Sequence, residues 1–232
     1  MQISLYGKFG NVAVDYQKAR QGFPTEVFNL LHRAISPSIK TAEILDVGCG
    51  TGIATRQLAL NGYRVRGIDM DKDMIAIARK EDTTIDFQVA PVHALPFPDE
   101  HFDAVTAFSA FHWFTDSSSI SEIARVLKPG SVFMVVNKND ATSSFKTTYR
   151  LLLAEFIKGS LPNAKENYNP ATLLKAHGFS AIAEYVFGID EKYTIDEALT
   201  YLRSVSLWNL VPTGRKKDAH HALEKLCKQK AR

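Results

Sequence analysis

Glu43-Ile44-Leu45-Asp46-Val47-Gly48-Cys49-Gly50-Thr51-Gly52 is an apolar run that breaks into alternating glycines. It reads as a buried strand entering a glycine-rich turn, with a helix opening at Ile53 and running to Asn61. Glycines let the backbone bend sharply and leave no Cβ between it and a ligand. Unpaired N–H groups at the helix start favour an anionic group. The stretch therefore predicts a ligand with a negative end, held where a strand meets a helix.

Spacing narrows the ligand. The dinucleotide fingerprint needs glycine at the first, third and sixth positions, and counting from Gly48 the sixth is Ile53. The phosphate loop needs a Gly-Lys-Ser/Thr ending, and no lysine falls between Thr51 and Leu60. The remaining D-x-G-x-G-x-G, Asp46 to Gly52, resembles motif I of the class I S-adenosylmethionine-dependent methyltransferases. The resemblance implies that S-adenosylmethionine is the cofactor, its methionyl carboxylate in place of a phosphate. It also implies cofactor contact at Asp46, Gly48, Cys49, Gly50, Thr51 and Gly52, Asp46 either touching the cofactor or ordering the turn.

From 43 to 137, strands alternate with helices. Strands are expected at 43–48, 63–69, 84–89, 102–108 and 131–137, helices at 53–61, 71–80 and 117–127. Short right-handed crossovers make this an α/β fold, a doubly wound, mostly parallel sheet with helices on both faces, reversing direction between the first and fourth strands. The expected organisation is one domain over 1–232: a helical cap in 1–40, a cofactor-binding core in 41–140, then a lid helix, edge strand and C-terminal helices in 141–232. Helices are expected at 24–35, 145–158, 169–178, 194–205 and 216–229, and a sixth strand at about 181–189. The opening segment, Phe9 to Tyr16 with Arg20 and Pro24, is similar to that of small-molecule methyltransferases related to trans-aconitate methyltransferase. Nothing after Lys216 alternates like the seventh strand that the family normally adds.

Asp69 ends the second strand about twenty positions after the turn, where an acid binds a ribose diol; alternatively Asp69 or Asp71 caps the next helix. Met70 is placed to pack on adenine. The segment after strand three resembles the adenine-receiving stretch, but Pro91 stands where many relatives carry an acid. That leaves adenine to the backbone of Val92 and His93. Strand four runs through Phe108, a candidate cofactor contact, into Ala110-Phe111-His112-Trp113-Phe114, an aromatic tail suited to a sulfonium. His112 is the candidate general base, since an ordinary imidazole titrates near neutrality. Tyr16, Arg20, His112 and Trp113 are the candidate substrate residues, Arg20 suiting an acidic group.

Composition is that of an ordinary globule: 232 residues, 45% apolar, 23% charged and a formal charge of +3. No apolar run reaches a membrane span, and no signal-peptide core opens the chain. Cys49 and Cys227 are the two cysteines; with one inside the glycine turn, a disulfide is not expected, and a reducing cytoplasm fits. The histidines show no metal-ligand spacing, and no Gly-x-Ser-x-Gly elbow appears. Basic residues from Arg215 to Arg232 lack the interleaved aromatics of a base-stacking surface, so no nucleic-acid partner is expected. The sequence reads as a methyltransferase acting on a small molecule at an O, N or C atom. The alternatives are a catalytically silent, partner-binding relative and a nicotinamide-dependent oxidoreductase.

Overall fold

The computed structural model describes residues 9–35, 39, 41–138, 144–157, 159, 161–162 and 168–230. In chain order its main elements are α1 (Ala13–Ala19), α2 (Thr25–Ala34), β1 (Glu43–Val47), α3 (Ile53–Leu60), β2 (Arg64–Asp69), α4 (Lys72–Glu81), β3 (Asp86–Val89), β4 (Phe102–Phe108), α5 (Ser117–Val126), β5 (Leu127–Val136), α6 (Ser144–Ala154), α7 (Pro170–Ala176), α8 (Ile195–Arg203) and α9 (Lys216–Lys230). The chain divides into two compact units. A helical unit takes the described residues of 1–21, 139–163 and 190–232, and a sheet unit takes those of 22–138 and 164–189.

In the sheet unit five parallel strands lie in the order β3-β2-β1-β4-β5, so the sheet reverses between β1 and β4 as expected. Alternation along the strands supplies both faces. Leu45 and Val47 of β1 join Val105 and Ala107 of β4 against Ile120, Ile123 and Val126 of α5. Ile44, Ala104 and Phe108 turn the other way, onto Val27, Phe28 and Leu31 of α2 and Ala54 and Leu58 of α3. Each such aliphatic or aromatic side chain, fully buried, contributes about 1.5–3 kcal/mol.

Two edges differ from expectation. β5 begins at Leu127 rather than 131, because Leu127 pairs with Phe102 before a register shift in which Lys128–Ser131 bulge around Pro129 and Gly130. The expected sixth strand at 181–189 does not form, and β5 closes the sheet. That segment is rich in strand-forming residues, yet Tyr185 and Val186 are exposed. Residue preference makes a strand only where a partner edge and a packing face exist.

The helical unit has its own core: Tyr149 and Leu153 of α6, Leu199 and Leu202 of α8, Leu207, Trp208, and Leu223 and Leu226 of α9. α8 opens on a reciprocal cap, Thr194 with Glu197. α6 ends at Ala154, and Lys158, the last residue of the expected helix 145–158, lies outside the described residues. Part of the C-terminal basic cluster is engaged internally. Arg215 covers the Phe156 ring at 4.9 Å, Lys216 stands 5.7 Å from Trp208, and Lys228 pairs with Glu224 at 2.5 Å. Among the described residues no helix is long and apolar enough to cross a membrane.

Candidate functional site

The candidate residues of the sheet unit collect at the carboxyl ends of its strands, beside the reversal, where open α/β sheets bind ligands. Gly48, Gly50 and Gly52 hold φ of 68°, 56° and 78°. At Gly48 the requirement is steric as well as torsional: a Cβ there would lie 2.6 Å from the Ala110 Cβ and 3.1 Å from Phe114 Cε1. The turn after β1 and the loop after β4 thus touch with no room between them. The Thr51 hydroxyl oxygen is buried without a hydrogen-bond partner among the described residues, inside a turn whose next residue opens α3.

Asp46 lies fully buried beneath this turn and accepts hydroxyl protons from Thr55 at 2.6 Å and Thr106 at 2.9 Å. Burial pushes its pKa up to about 7, against those two hydrogen bonds and with a further push from Asp69. Both carboxylate oxygens face protein, which suits the ordering role.

Asp69 accepts N–H bonds from Gly50 at 2.9 Å and Asp71 at 2.8 Å. Helix capping falls to its neighbour, since Asp71 accepts from the N–H groups of Asp73 and Met74. Met70 is 76% exposed, a free apolar surface next to the acid. Val92 is buried and His93 exposed, so they offer backbone and an open side chain respectively. The Phe108 ring packs on Phe23 and Phe28, with centroids at 4.7 and 5.9 Å, because its place in β4 turns it toward α2.

Beyond β4, Ser109 holds φ 53°, and its N–H bonds Val136 O at 2.7 Å. A left-handed non-glycine residue here is local strain that the surrounding packing sustains. The chain then makes a short 3-10 turn, Phe111–Trp113. The His112 ring lies 4.8 Å from Trp113 and 5.9 Å from Tyr168. Asn137, just past β5, donates to the Tyr168 hydroxyl at 3.4 Å, and its own side-chain oxygen is buried without a partner among the described residues. Tyr168 and Asn137 were not singled out in the sequence. They carry no motif, and only the fold brings them to His112.

Tyr16 and Arg20 belong to the helical unit, where the Arg20 guanidinium lies 4.9 Å from the Tyr16 ring centre. Among the described residues no cluster of three His, Cys, Asp or Glu could hold a metal ion.

Residues 45–135, from β1 into β5, match the family described as the methyltransferase domain. An uncharacterized methyltransferase of Schizosaccharomyces pombe is 29% identical over 216 residues, covering 92% of this chain and 84% of the relative. A methyltransferase-like protein of the same organism is 28% identical over 222 residues, covering 95% and 86%. Over these residues the chain is similar to methyltransferases, and its fold is of the class I methyltransferase type. Its fold also resembles that of a solved structure assigned as a methyltransferase of an antibiotic biosynthesis pathway in Anabaena variabilis. That likeness has a TM-score of 0.67 at 17% identity and covers 93% of this chain and 88% of the other.

Two features of this site fit a cofactor with an amino-acid end and a ribose. The Thr51 hydroxyl is an orphan that a carboxylate can satisfy, and the Asp69 carboxylate, joined to the same turn through the Gly50 N–H, is an acceptor of the kind a ribose diol needs.

Proposed function

We propose that this protein is a methyltransferase that uses S-adenosylmethionine and methylates a small molecule on an O, N or C atom. The supporting observation is the left-handed glycine turn closed by Asp69, with the Thr51 hydroxyl unsatisfied inside it. In this reading Gly48, Cys49, Gly50, Thr51 and Gly52 hold the amino-acid end, and Asp69 accepts from the ribose hydroxyls. Met70 and the backbone of Val92 and His93 receive the adenine, while Asp46 and Phe108 support the site from beneath.

When bound, the cofactor supplies an electrophilic methyl on sulfur. The chain's own task is then to align the acceptor and exclude water, the main sources of rate for such a transfer. In the sheet unit His112 takes the acceptor's proton where the acceptor has one to lose, and Trp113 walls the acceptor. Tyr16 and Arg20, in the helical unit, are acceptor-binding residues. Two free thiols, Cys49 and Cys227, favour a reducing, cytoplasmic setting.

The test is calorimetry with S-adenosylmethionine and S-adenosylhomocysteine, followed by labelled methyl donor against pooled metabolites. Saturable heat and a labelled product are expected. No heat for either compound overturns the reading, heat for a nicotinamide cofactor instead points to redox chemistry, and binding without turnover beside a tight stoichiometric partner marks a silent subunit.

A further inference from the structure

Arg20 carries its charge in the helical unit without a carboxylate beside it among the described residues. It follows the last turn of α1, and its guanidinium carbon lies 4.9 Å from the Tyr16 ring centre and 4.2 Å from that of Tyr201. Its Nε donates to Ser204 Oγ at 3.2 Å, and the Ser204 hydroxyl in turn donates to the Tyr201 carbonyl at 2.7 Å. The acids on neighbouring positions are engaged elsewhere: Asp15 pairs with Arg203 at 3.2 Å, and Glu191 accepts from the Tyr193 hydroxyl at 3.0 Å. The two terminal nitrogens of Arg20 therefore keep their N–H groups unfilled among the described residues. Burial works against the cation, but the phenols of Tyr201, Tyr16, Tyr149 and Tyr193 outweigh it, and the pKa is raised.

A guanidinium gripped at its rings and at Nε is aimed and pre-ordered, which is what bidentate recognition of an oxyanion requires. We propose that Arg20, walled by Tyr16 and Tyr201, is a binding position for a carboxylate. One cation among phenols matches a single negative charge. A phosphate dianion would ask for a second cation, and Arg203 is already neutralised by Asp15. The proposal deepens the acceptor role given to Tyr16 and Arg20, and rests on that role for the carboxylate belonging to the acceptor.

The test is a titration of the full chain, carrying 15N-labelled arginine, with succinate and separately with inorganic phosphate, without methyl donor. One Nε–Hε signal, absent in Arg20→Lys and displaced in Ser204→Ala, is expected to move saturably with succinate. Succinate affinity, read from the thermal midpoint, is expected to fall at least about tenfold in Arg20→Lys. No saturable movement, equal movement of all arginine signals, or tighter saturation by phosphate overturns the proposal. Saturation at Arg20 in a protein that binds no methyl donor would leave the carboxylate position standing and the methyl-transfer reading fallen.

Discussion

The Asp69 carboxylate at the end of β2 accepts the Gly50 N–H at 2.9 Å, so one side chain ties the second strand to the turn that ends the first. Its other oxygen accepts the Asp71 N–H, which fixes the start of α4 as well. Burial raises its pKa, while those backbone bonds act the other way. Asp69→Ala is expected to lose about 1–3 kcal/mol of stability and at least about tenfold in S-adenosylhomocysteine affinity. Because the folded-state pKa is raised, binding through the carboxylate weakens as pH falls through that raised value. Denaturant melts and calorimetry over a pH series check both outcomes.

Gly48 meets Ala110 so closely that the two positions are coupled. Gly48→Ala combines a left-handed alanine, costing roughly 1–2 kcal/mol, with a clash worth about 1–3 kcal/mol. Adding Ala110→Gly is expected to relieve the clash and leave the torsional cost. A double-mutant cycle by urea denaturation reads the coupling, and strict additivity would contradict the contact.

Much of this was legible beforehand. The five core strands follow from apolar runs, with Gly48 and Asp69 marking where the first two stop, because local chemistry sets where a parallel strand ends; the Pro129-Gly130 pair, by contrast, lies inside β5 as a bulge. The segment 181–189 misled because strand propensity says nothing about whether an edge lies alongside. Tyr168 and Asn137 were invisible since they meet across 31 positions of chain, with no periodicity linking them.

Arg125 of α5 holds the loop that follows β3. It binds both oxygens of Glu122 at 2.7 and 2.8 Å, Asp99 at 2.7 Å, and the carbonyls of Phe97 and Leu95 at 2.8 and 3.1 Å. Lysine has one nitrogen and no fork, so Arg125→Lys cannot keep this set. The expected loss is about 1–3 kcal/mol, with faster amide exchange at Leu95, whose N–H is held by Glu122 at 2.8 Å. Unchanged exchange there would show that the loop holds without the clamp.

His112 is separable from cofactor binding. His112→Gln is expected to leave S-adenosylhomocysteine affinity within about twofold while lowering turnover roughly 10²–10⁴-fold for an acceptor that must lose a proton. For an acceptor methylated as its carboxylate no base is needed, and turnover would survive. Single-turnover rates with each acceptor found in the pooled screen distinguish the two.

Asp46 gives a pH signature. Burial pushes its folded-state pKa up to about 7, whereas an unfolded aspartate sits near 3.9. Between those values the folded protein holds a proton that the unfolded chain has released. Its contribution to stability is therefore complete below about pH 4, falls by about 1.4 kcal/mol per pH unit, and is lost once pH passes the folded value. Asp46→Asn keeps the shape and can still bond the Thr55 and Thr106 hydroxyls, but does not titrate. Its stability relative to the wild type should thus rise from about pH 5 to about pH 7 and then level off, the other carboxylates cancelling between the two proteins. Urea denaturation of both proteins across that range measures the difference; a flat line would mean that Asp46 ionises at an ordinary pH in spite of its burial.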